Sequence, residues 1–238
     1  MIQLSVVIPC FNEVKSLPTL LSKFDDVIVR NDIEVIVIDN GSNDNTSIVL
    51  KDLLDTYSFL RLIRLEVNKG YGFGIFKGLL QAKGKYIGWT HADLQTDPKD
   101  VITALEIIES TNHQRIFVKG MRNGRPISDR LFSIGMSILE SIYFQKSLWE
   151  VNAQPNLFSR ELIQKWDNPP DDFAFDLYYY YLASKENYTI IRFNVDFPER
   201  AFGESRWNIN LSSKLKFIRR TIFFSIQLKK KLRKDFSK

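Results

Sequence analysis

Short β-branched runs alternate with segments of helical period through the first half of the chain, and that alternation restricts the fold more than any single motif. Leu4 to Pro9 and Glu34 to Asp39 are apolar runs flanked by turn residues and too short for helices. Arg61 to Glu66, Tyr86 to Thr90 and Ile116 to Lys119 repeat the pattern. Between them apolar residues recur at helical spacing, as in Ile48, Leu50, Leu53 and Leu54, and in Ile102, Leu105 and Ile108. The order β-α-β-α-β predicts an α/β fold with a mainly parallel sheet, helices on both faces, and ligands at the carboxyl ends of the strands. After about Gly120 the regularity fades. Arg122 to Arg130 reads as a polar loop, Leu131 to Phe144 as a helix and Ala153 to Phe158 as irregular chain; Phe173 to Ala183 reads as a helix and Thr189 to Phe197 as a strand. This half is expected to hold the second substrate.

A chain of 238 residues has room for one large domain with an appendage, and 44% hydrophobic residues suffice for a sizeable core. Its apolar stretches fall short of the ~18 residues a spanning helix needs. No basic segment precedes the apolar run Leu4 to Ile8, so a cleaved secretory signal is not expected and the cytoplasm is the predicted compartment. The single cysteine, Cys10, excludes an internal disulfide framework and reads as a small buried residue.

Charge divides the chain at about Trp207. From there to Lys238 ten Lys/Arg face one acid, Asp235, so this tail carries +9 of a net +5 and leaves −4 on the rest. A nucleic-acid binder would spread its basic residues over the folded face, so none is predicted as a partner. In the tail, Leu211, Leu215, Ile218, Ile222 and Ile226 recur at helical spacing among Lys214, Lys216, Arg219, Arg220 and Lys229 to Lys231. That pattern predicts a basic amphipathic helix, or a pair, lying on an anionic membrane surface; the alternative is a helix packed on its own domain with a solvated basic face. The division predicted is a body, 1–206, with its first half about 1–120 and second half 121–206, and a tail, 207–238.

Two polar turns follow strands. Asp39-Asn40-Gly41-Ser42-Asn43-Asp44-Asn45-Thr46 offers a carboxylate at a strand end for a base or ribose, with Asn45 or Thr46 to cap the next helix, and reads equally as an ordinary turn. In His91-Ala92-Asp93-Leu94-Gln95-Thr96-Asp97-Pro98, strand alternation places His91, Asp93 and Gln95 on one face. Oxygen donors from Asp and Gln suit Mg²⁺ or Mn²⁺. Alternatively, Asp93 and Asp97 only cap the helix opened by Pro98.

Pro9-Cys10-Phe11-Asn12-Glu13, Asp39-Asn40-Gly41-Ser42, Asn68-Lys69-Gly70 with Gly78, Ala82 and Gly84, and His91-Ala92-Asp93-Leu94-Gln95 occur in the order and spacing of family 2 glycosyltransferases. The chain resembles their polyprenyl-phosphate branch, the relatives of dolichyl-phosphate mannose synthase, over about residues 3 to 207. The resemblance implies a GT-A fold, with a Rossmann-like central sheet flanked by helices. It implies an inverting transfer of a sugar from a UDP- or GDP-linked donor to a polyprenyl phosphate or lipid-linked glycan. By matching positions, Pro9, Phe11, Glu13, Asp39, Gly70, His91, Ala92 and Asp93 would line the nucleotide-sugar site. Asp93 would bind the metal with Gln95 as second protein ligand. His91 stands where the family usually carries an Asp, which removes one negative charge beside the diphosphate.

In the second half, Arg122 and Arg130 match a pair of arginines that approach donor or acceptor phosphates in this branch. Arg200, Ser205 and Arg206 match its Arg-x-x-Gly-x-Ser-Lys loop, with Arg206 in place of the lysine. Arg115 and Arg125 read as solvated surface charges. Asp176, at a helix start, matches a family acidic residue and would serve as base toward a sugar hydroxyl; a lipid phosphate, already anionic, needs none. Asp93, Asp176, Arg200 and Arg206 are thus the catalytic candidates. An acceptor in solution or in the envelope, or a nucleotide-sugar or polyanion-binding role without turnover, are the other readings. Tyr178 to Tyr181 read as packing. Where relatives carry spanning helices after the catalytic domain, the basic tail predicts a peripheral protein on the inner face of the cell membrane.

Overall fold

The five apolar runs become strands β1 (Leu4–Cys10), β2 (Ile33–Asn40), β3 (Leu60–Leu65), β4 (Tyr86–Trp89) and β5 (Ile116–Asn123), and two more follow, β6 (Asn156–Ser159) and β7 (Thr189–Asp196). The helices are α1 (Leu17–Val27), α2 (Thr46–Leu54), α3 (Tyr71–Gln81), α4 (Pro98–Glu109), α5 (Ile127–Phe144), α6 (Ala174–Lys185) and α7 (Leu211–Asp235). The computed structural model describes residues 1–165, 168–198, 200, 202 and 211–235.

All seven strands share one sheet in the order β3-β2-β1-β4-β6-β5-β7. Every pairing is parallel except those of β6, which runs antiparallel between β4 and β5. Successive β-α units build outward from β1 to β3. The crossover through α3 then returns the chain to the other side of β1, so the strand order reverses between β1 and β4. At such a reversal the loops leaving the two strands splay apart and form a crevice.

Side-chain alternation explains why both faces are covered. Leu4, Val6, Ile8 and Cys10 of β1 join Val35 and Val37 of β2 in one cluster with Leu17, Leu20 and Phe24 of α1 and Val101, Leu105 and Ile108 of α4. Val7, Ile36, Ile38 and Trp89 face the other way, onto Ile75 and Leu79 of α3 and Phe175 and Tyr179 of α6. Tyr178, Tyr179 and Tyr180 are buried, in line with a packing role. Gly78 lets α3 lie close on β1, since a Cβ there would sit 2.5 Å from a Val7 methyl.

Two stretches of the second half differ most from the sequence reading. The stretch 153–158, read as irregular, holds most of β6, whose four residues are all buried. Asn-Leu-Phe-Ser has no alternating pattern, and it is extended because β4 and β5 supply hydrogen bonds on both edges. The polar loop read as Arg122 to Arg130 shrinks to a turn, because β5 runs on to Asn123 and α5 begins at Ile127, with Pro126 at its N-cap and Asp129 in its first turn.

The tail forms one helix, α7, and packs on its own domain. Leu228 and Ser225 are buried, Phe224 packs against the second cluster, and Ser225 Oγ donates to both carboxylate oxygens of Glu140 on α5 at 2.9 Å. Of the stripe read from spacing, Leu215 and Ile226 are exposed and Ile218 and Ile222 half-buried; Phe223, outside the stripe, is exposed as well. No helix among the described residues is long and apolar enough to cross a membrane.

Burial pushes the Glu140 carboxyl up to about 7, with the Ser225 hydrogen bond opposing the rise. A carboxyl raised in the folded state binds its proton more tightly there, so stability falls as pH climbs from its unfolded value toward 7. Glu140→Gln keeps an acceptor for Ser225 and removes that loss. Its melting temperature is expected to exceed the parent's at pH 8, by the equivalent of about 2–3 kcal/mol, and to converge on it below about pH 4. Parallel melting curves for the two proteins across this range check the prediction.

Candidate active site

Beyond Trp89 the chain does not stay extended. It bends through residues 92–96, with Leu94 at φ 61°, and Thr90 Oγ1 and Thr96 Oγ1 lie 2.8 Å apart across the bend. His91, Asp93 and Gln95 therefore converge through a loop and not through strand alternation, and all three line one cavity. Asp97 accepts from Lys99 N and caps α4. Asp93 takes no part in that cap: its Oδ1 accepts from Gln95 N at 3.2 Å, and its Oδ2 pairs with Arg200 Nη2 at 2.8 Å. Gln95 Oε1 accepts from Arg200 Nε at 3.0 Å, and its Nε2 donates to Pro198 O.

One carboxylate oxygen and one amide oxygen thus already converge on a single cationic group. This donor set fits a hard divalent cation that takes its remaining ligands from phosphate and water. Among the described residues no three His, Cys, Asp or Glu side chains cluster as a metal site. Two such oxygens leave most coordination positions of a divalent cation open.

The loops after β1 and β2 clasp each other. Asn12 N donates to Ser42 Oγ, Asn43 N to Asn12 Oδ1 and Glu13 N to Thr46 Oγ1, each at 3.0 Å. Pro9 and Phe11 lie half-buried at this end of β1. Burial pushes the Glu13 carboxyl up, the Ser16 hydroxyl opposes this, and the nearby Asp93 charge adds to it. Asp39, expected to meet a base or ribose, is buried and occupied by protein donors: Ser42 N at 2.9 Å, the Ser47 hydroxyl, and Arg64 Nη1 at 3.3 Å. Gly70 has φ 116° at the start of α3, where a Cβ would lie 2.3 Å from Asp171 O. Its carbonyl accepts from Asn40 Nδ2. Ala92 packs in the core beneath the loop. Gly70 and Ala92 shape the site through backbone and packing.

Across the cavity, Asp176 stands buried in the first turn of α6. Trp89 Nε1 and Gln154 Nε2 both donate to its Oδ1, at 2.9 and 3.0 Å, and Asn156 Nδ2 orients Gln154 by donating to Gln154 Oε1. Burial pushes the Asp176 carboxyl up, while His91 and Lys119 pull it down. Lys119 is fully buried, and its Nζ donates to the carbonyls of Glu150, Val151 and Ala153. Burial lowers its pKa to about 7. The ammonium pins the loop that leads into Gln154, and so into Asp176.

Of the arginines, Arg122 donates to Glu150 Oε2 at 2.7 Å and lies over the Phe197 ring. Arg125, read as solvated, has a side chain only 6% exposed, donates to Ser133 Oγ and lies 3.7 Å from Glu150. The short turn 124–126 folds it over the cavity. Arg130 is exposed on α5 and is not among the lining residues, and Arg115 is exposed as read. Arg220 of α7 joins the lining instead. Ser205 and Arg206 lie outside the described residues.

The cavity measures about 860 Å³. It runs from His91 and Asp93 to an apolar arm between α5, α6 and α7, lined by Phe132, Met136, Leu177 and Phe224. Sequence reasoning missed Trp89, Lys119, Glu150 and Gln154. A lysine inside the apolar run Ile116 to Lys119 was the available signal for one; the others look like ordinary strand and loop residues.

A model of the family described as "Glycosyl transferase family 2" matches residues 5–151. A dolichyl-phosphate beta-glucosyltransferase of Dictyostelium discoideum is 28% identical over 226 residues, 83% of this chain and 67% of that protein. A dolichol-phosphate mannosyltransferase of Pyrococcus furiosus is 27% identical over 148 residues, 60% of this chain and 42% of that protein. A glucosyl-3-phosphoglycerate synthase of Mycobacterium tuberculosis, solved with Mn²⁺, UDP and glucosyl-3-phosphoglycerate, superposes with TM-score 0.70 at 18% identity, over 92% of this chain and 77% of that one. The mannosyltransferase PcManGT of Pyrobaculum calidifontis, solved with GDP-Man and Mn²⁺, superposes with TM-score 0.65 at 20% identity, over 84% and 58%. The architecture shared with these structures is the GT-A fold.

Asp176→Asn keeps the Oδ1 acceptor for Trp89 and Gln154 and removes a buried charge. Its melting temperature at pH 8 is expected to be no lower than the parent's. Asp176→Leu strands both buried donors and is expected to cost about 2–4 kcal/mol. Denaturant titration of the two variants separates these outcomes.

Proposed function

The chain belongs to glycosyl transferase family 2 and is a glycosyltransferase; on that premise we propose that it moves a sugar from a UDP- or GDP-linked donor to a polyprenyl phosphate or lipid-linked glycan, with inversion. The observation that carries this reading is the single cavity that joins the Asp93 and Gln95 oxygens, the arginines and an apolar arm. A phosphate-headed lipid presents those features in the same order: an anionic head for the guanidinium forks and a hydrocarbon chain for the arm. The similarity to dolichyl-phosphate transferases points the same way.

The donor diphosphate would lie at the β1–β4 crevice, with the nucleoside toward Pro9, Phe11 and Glu13. Asp39 and Gly70 shape that pocket. Asp93 and Gln95 would hold Mg²⁺ or Mn²⁺ against the diphosphate; bound there, the cation supplies positive charge to the departing nucleotide. The acceptor oxygen attacks the anomeric carbon from the opposite face, its bond forming as the bond to the β-phosphate oxygen breaks. Arg122 and Arg125 orient the acceptor phosphate. Arg200, together with Ser205 and Arg206 of its loop, offers donors to charge that grows in the transition state.

A second reading has its own support. Asp176 is buried, held by two donors on one oxygen, and faces the cavity, which suits a general base toward a sugar hydroxyl. Under that reading Asp176→Asn abolishes transfer, and under the lipid-phosphate reading it does not.

The exposed Leu215, Phe223 and Ile226 of α7, with Arg219 and Lys230, form a face for an anionic membrane, about 1 kcal/mol per basic residue near the surface. On this reading the protein works at the inner face of the cell membrane. Replacing Leu215, Phe223 and Ile226 with serine is expected to reduce sedimentation with anionic vesicles, and the parent's binding is expected to weaken with salt. Equal sedimentation of both proteins removes α7 as the contact.

Asp93→Asn tests the chemistry. Transfer from UDP- or GDP-sugars to a polyprenyl phosphate is expected to fall by roughly 10²-fold or more, with no loss of melting temperature. Full activity of the variant, or of the parent in excess chelator, rules out the metal-assisted reaction.

A further inference from the structure

Arg200 occupies the place of a cation. Asp93 has two carboxylate oxygens and both are engaged, Oδ1 by the backbone of Gln95 and Oδ2 by Arg200 Nη2 at 2.8 Å. Gln95 Oε1 receives Arg200 Nε at 3.0 Å. The two oxygens proposed to hold a divalent cation are therefore the two that hold the guanidinium. The pair is shielded: the Asp93 side chain is 9% exposed and that of Arg200 31%. Gln95 Nε2 also donates to Pro198 O, so the same amide fastens the segment that carries Arg200. Position 91 is a histidine, and the carboxylate of Glu13 nearby feels both the Asp93 and the Arg200 charge.

We infer that Arg200 is a resident counter-ion that competes with the divalent cation for Asp93 and Gln95, so that the metal enters only as the guanidinium leaves. The inference rests on the metal-site reading above and adds an order of events. In the free protein Arg200 neutralises Asp93 and keeps metal affinity low. A donor brings its own negative diphosphate, which offsets the second cation, and frees Arg200 to turn its fork to phosphate. Metal occupancy and the position of the Arg200 side chain are then one switch, built from a single carboxylate with two claimants.

The test measures Mn²⁺ binding through the electron paramagnetic resonance signal of the free ion, without nucleotide, for the parent, Arg200→Ala, Arg200→Lys and Arg200→Ala with Asp93→Asn. Arg200→Ala is expected to bind Mn²⁺ roughly five- to tenfold more tightly than the parent, the range of a partly shielded ion pair. Arg200→Lys, whose ammonium lacks the fork that reaches both oxygens, is expected to fall between them. Adding Asp93→Asn is expected to abolish the gain. Binding by Arg200→Ala that is equal to the parent's, weaker, or absent overturns the competition. A second series with saturating UDP or GDP separates that failure from failure of the metal site. Nucleotide-dependent Mn²⁺ binding by the parent that Asp93→Asn removes leaves the site standing; its absence removes the site as well.

Discussion

Strand β1 is hydrogen-bonded along both edges, to β2 and to β4, and buried on both faces, and the rest of the molecule takes its position from it. Because the chain builds outward through β2 and β3 and then returns to β1's other side, two polar loops leave adjacent parallel strands at the same end. They meet because slipping β1 by one residue would turn its entire apolar set to the wrong faces, so the register, and with it the crevice, is fixed by burial.

A second constraint is the cost of burying charge. Asp176 and Lys119 are both buried, and each is held by several hydrogen bonds. Removing a partner from such a group leaves an uncompensated polar atom in a low-dielectric interior. The arrangement therefore stiffens the loop from Glu150 to Asn156 and fixes where the Asp176 carboxylate stands. Rigidity on this wall contrasts with the opposite one, where Asp93 and Gln95 are engaged by an arginine on a loop after β7. The site pairs a preorganised wall with an exchangeable one.

Helix α7 links the fold to the cavity. Its Phe224 lines the cavity and its Ser225 reaches the Glu140 carboxylate, so the helix closes the apolar arm, while Leu215, Phe223 and Ile226 stay outside. One helix thus has two apolar aspects, and spacing alone identifies only one. The inner face carries a serine among its apolar residues, which hides it from a pattern search.

The strands, the helices between them and the loops at residues 9–13, 39–46 and 91–95 were legible in the sequence, because burial on both faces imposes β-branched runs and sharp turns leave polar punctuation. The motif order identified the family on the same basis. Other features depended on tertiary structure. β6 exists because two neighbouring edges pair with it; Arg125 is buried because β5 and α5 leave only a three-residue turn between them. Trp89 and Gln154 bond Asp176, and Lys119 acts on its charge, from three separate strands and loops, and interactions between residues distant in sequence leave no spacing to read. His91, Asp93 and Gln95 were found by alternation, yet a bend at Leu94 brings them together. The residue types needed at the site are local information; which of their atoms are free, and which are already held by Arg200, is decided by the packing of the whole chain.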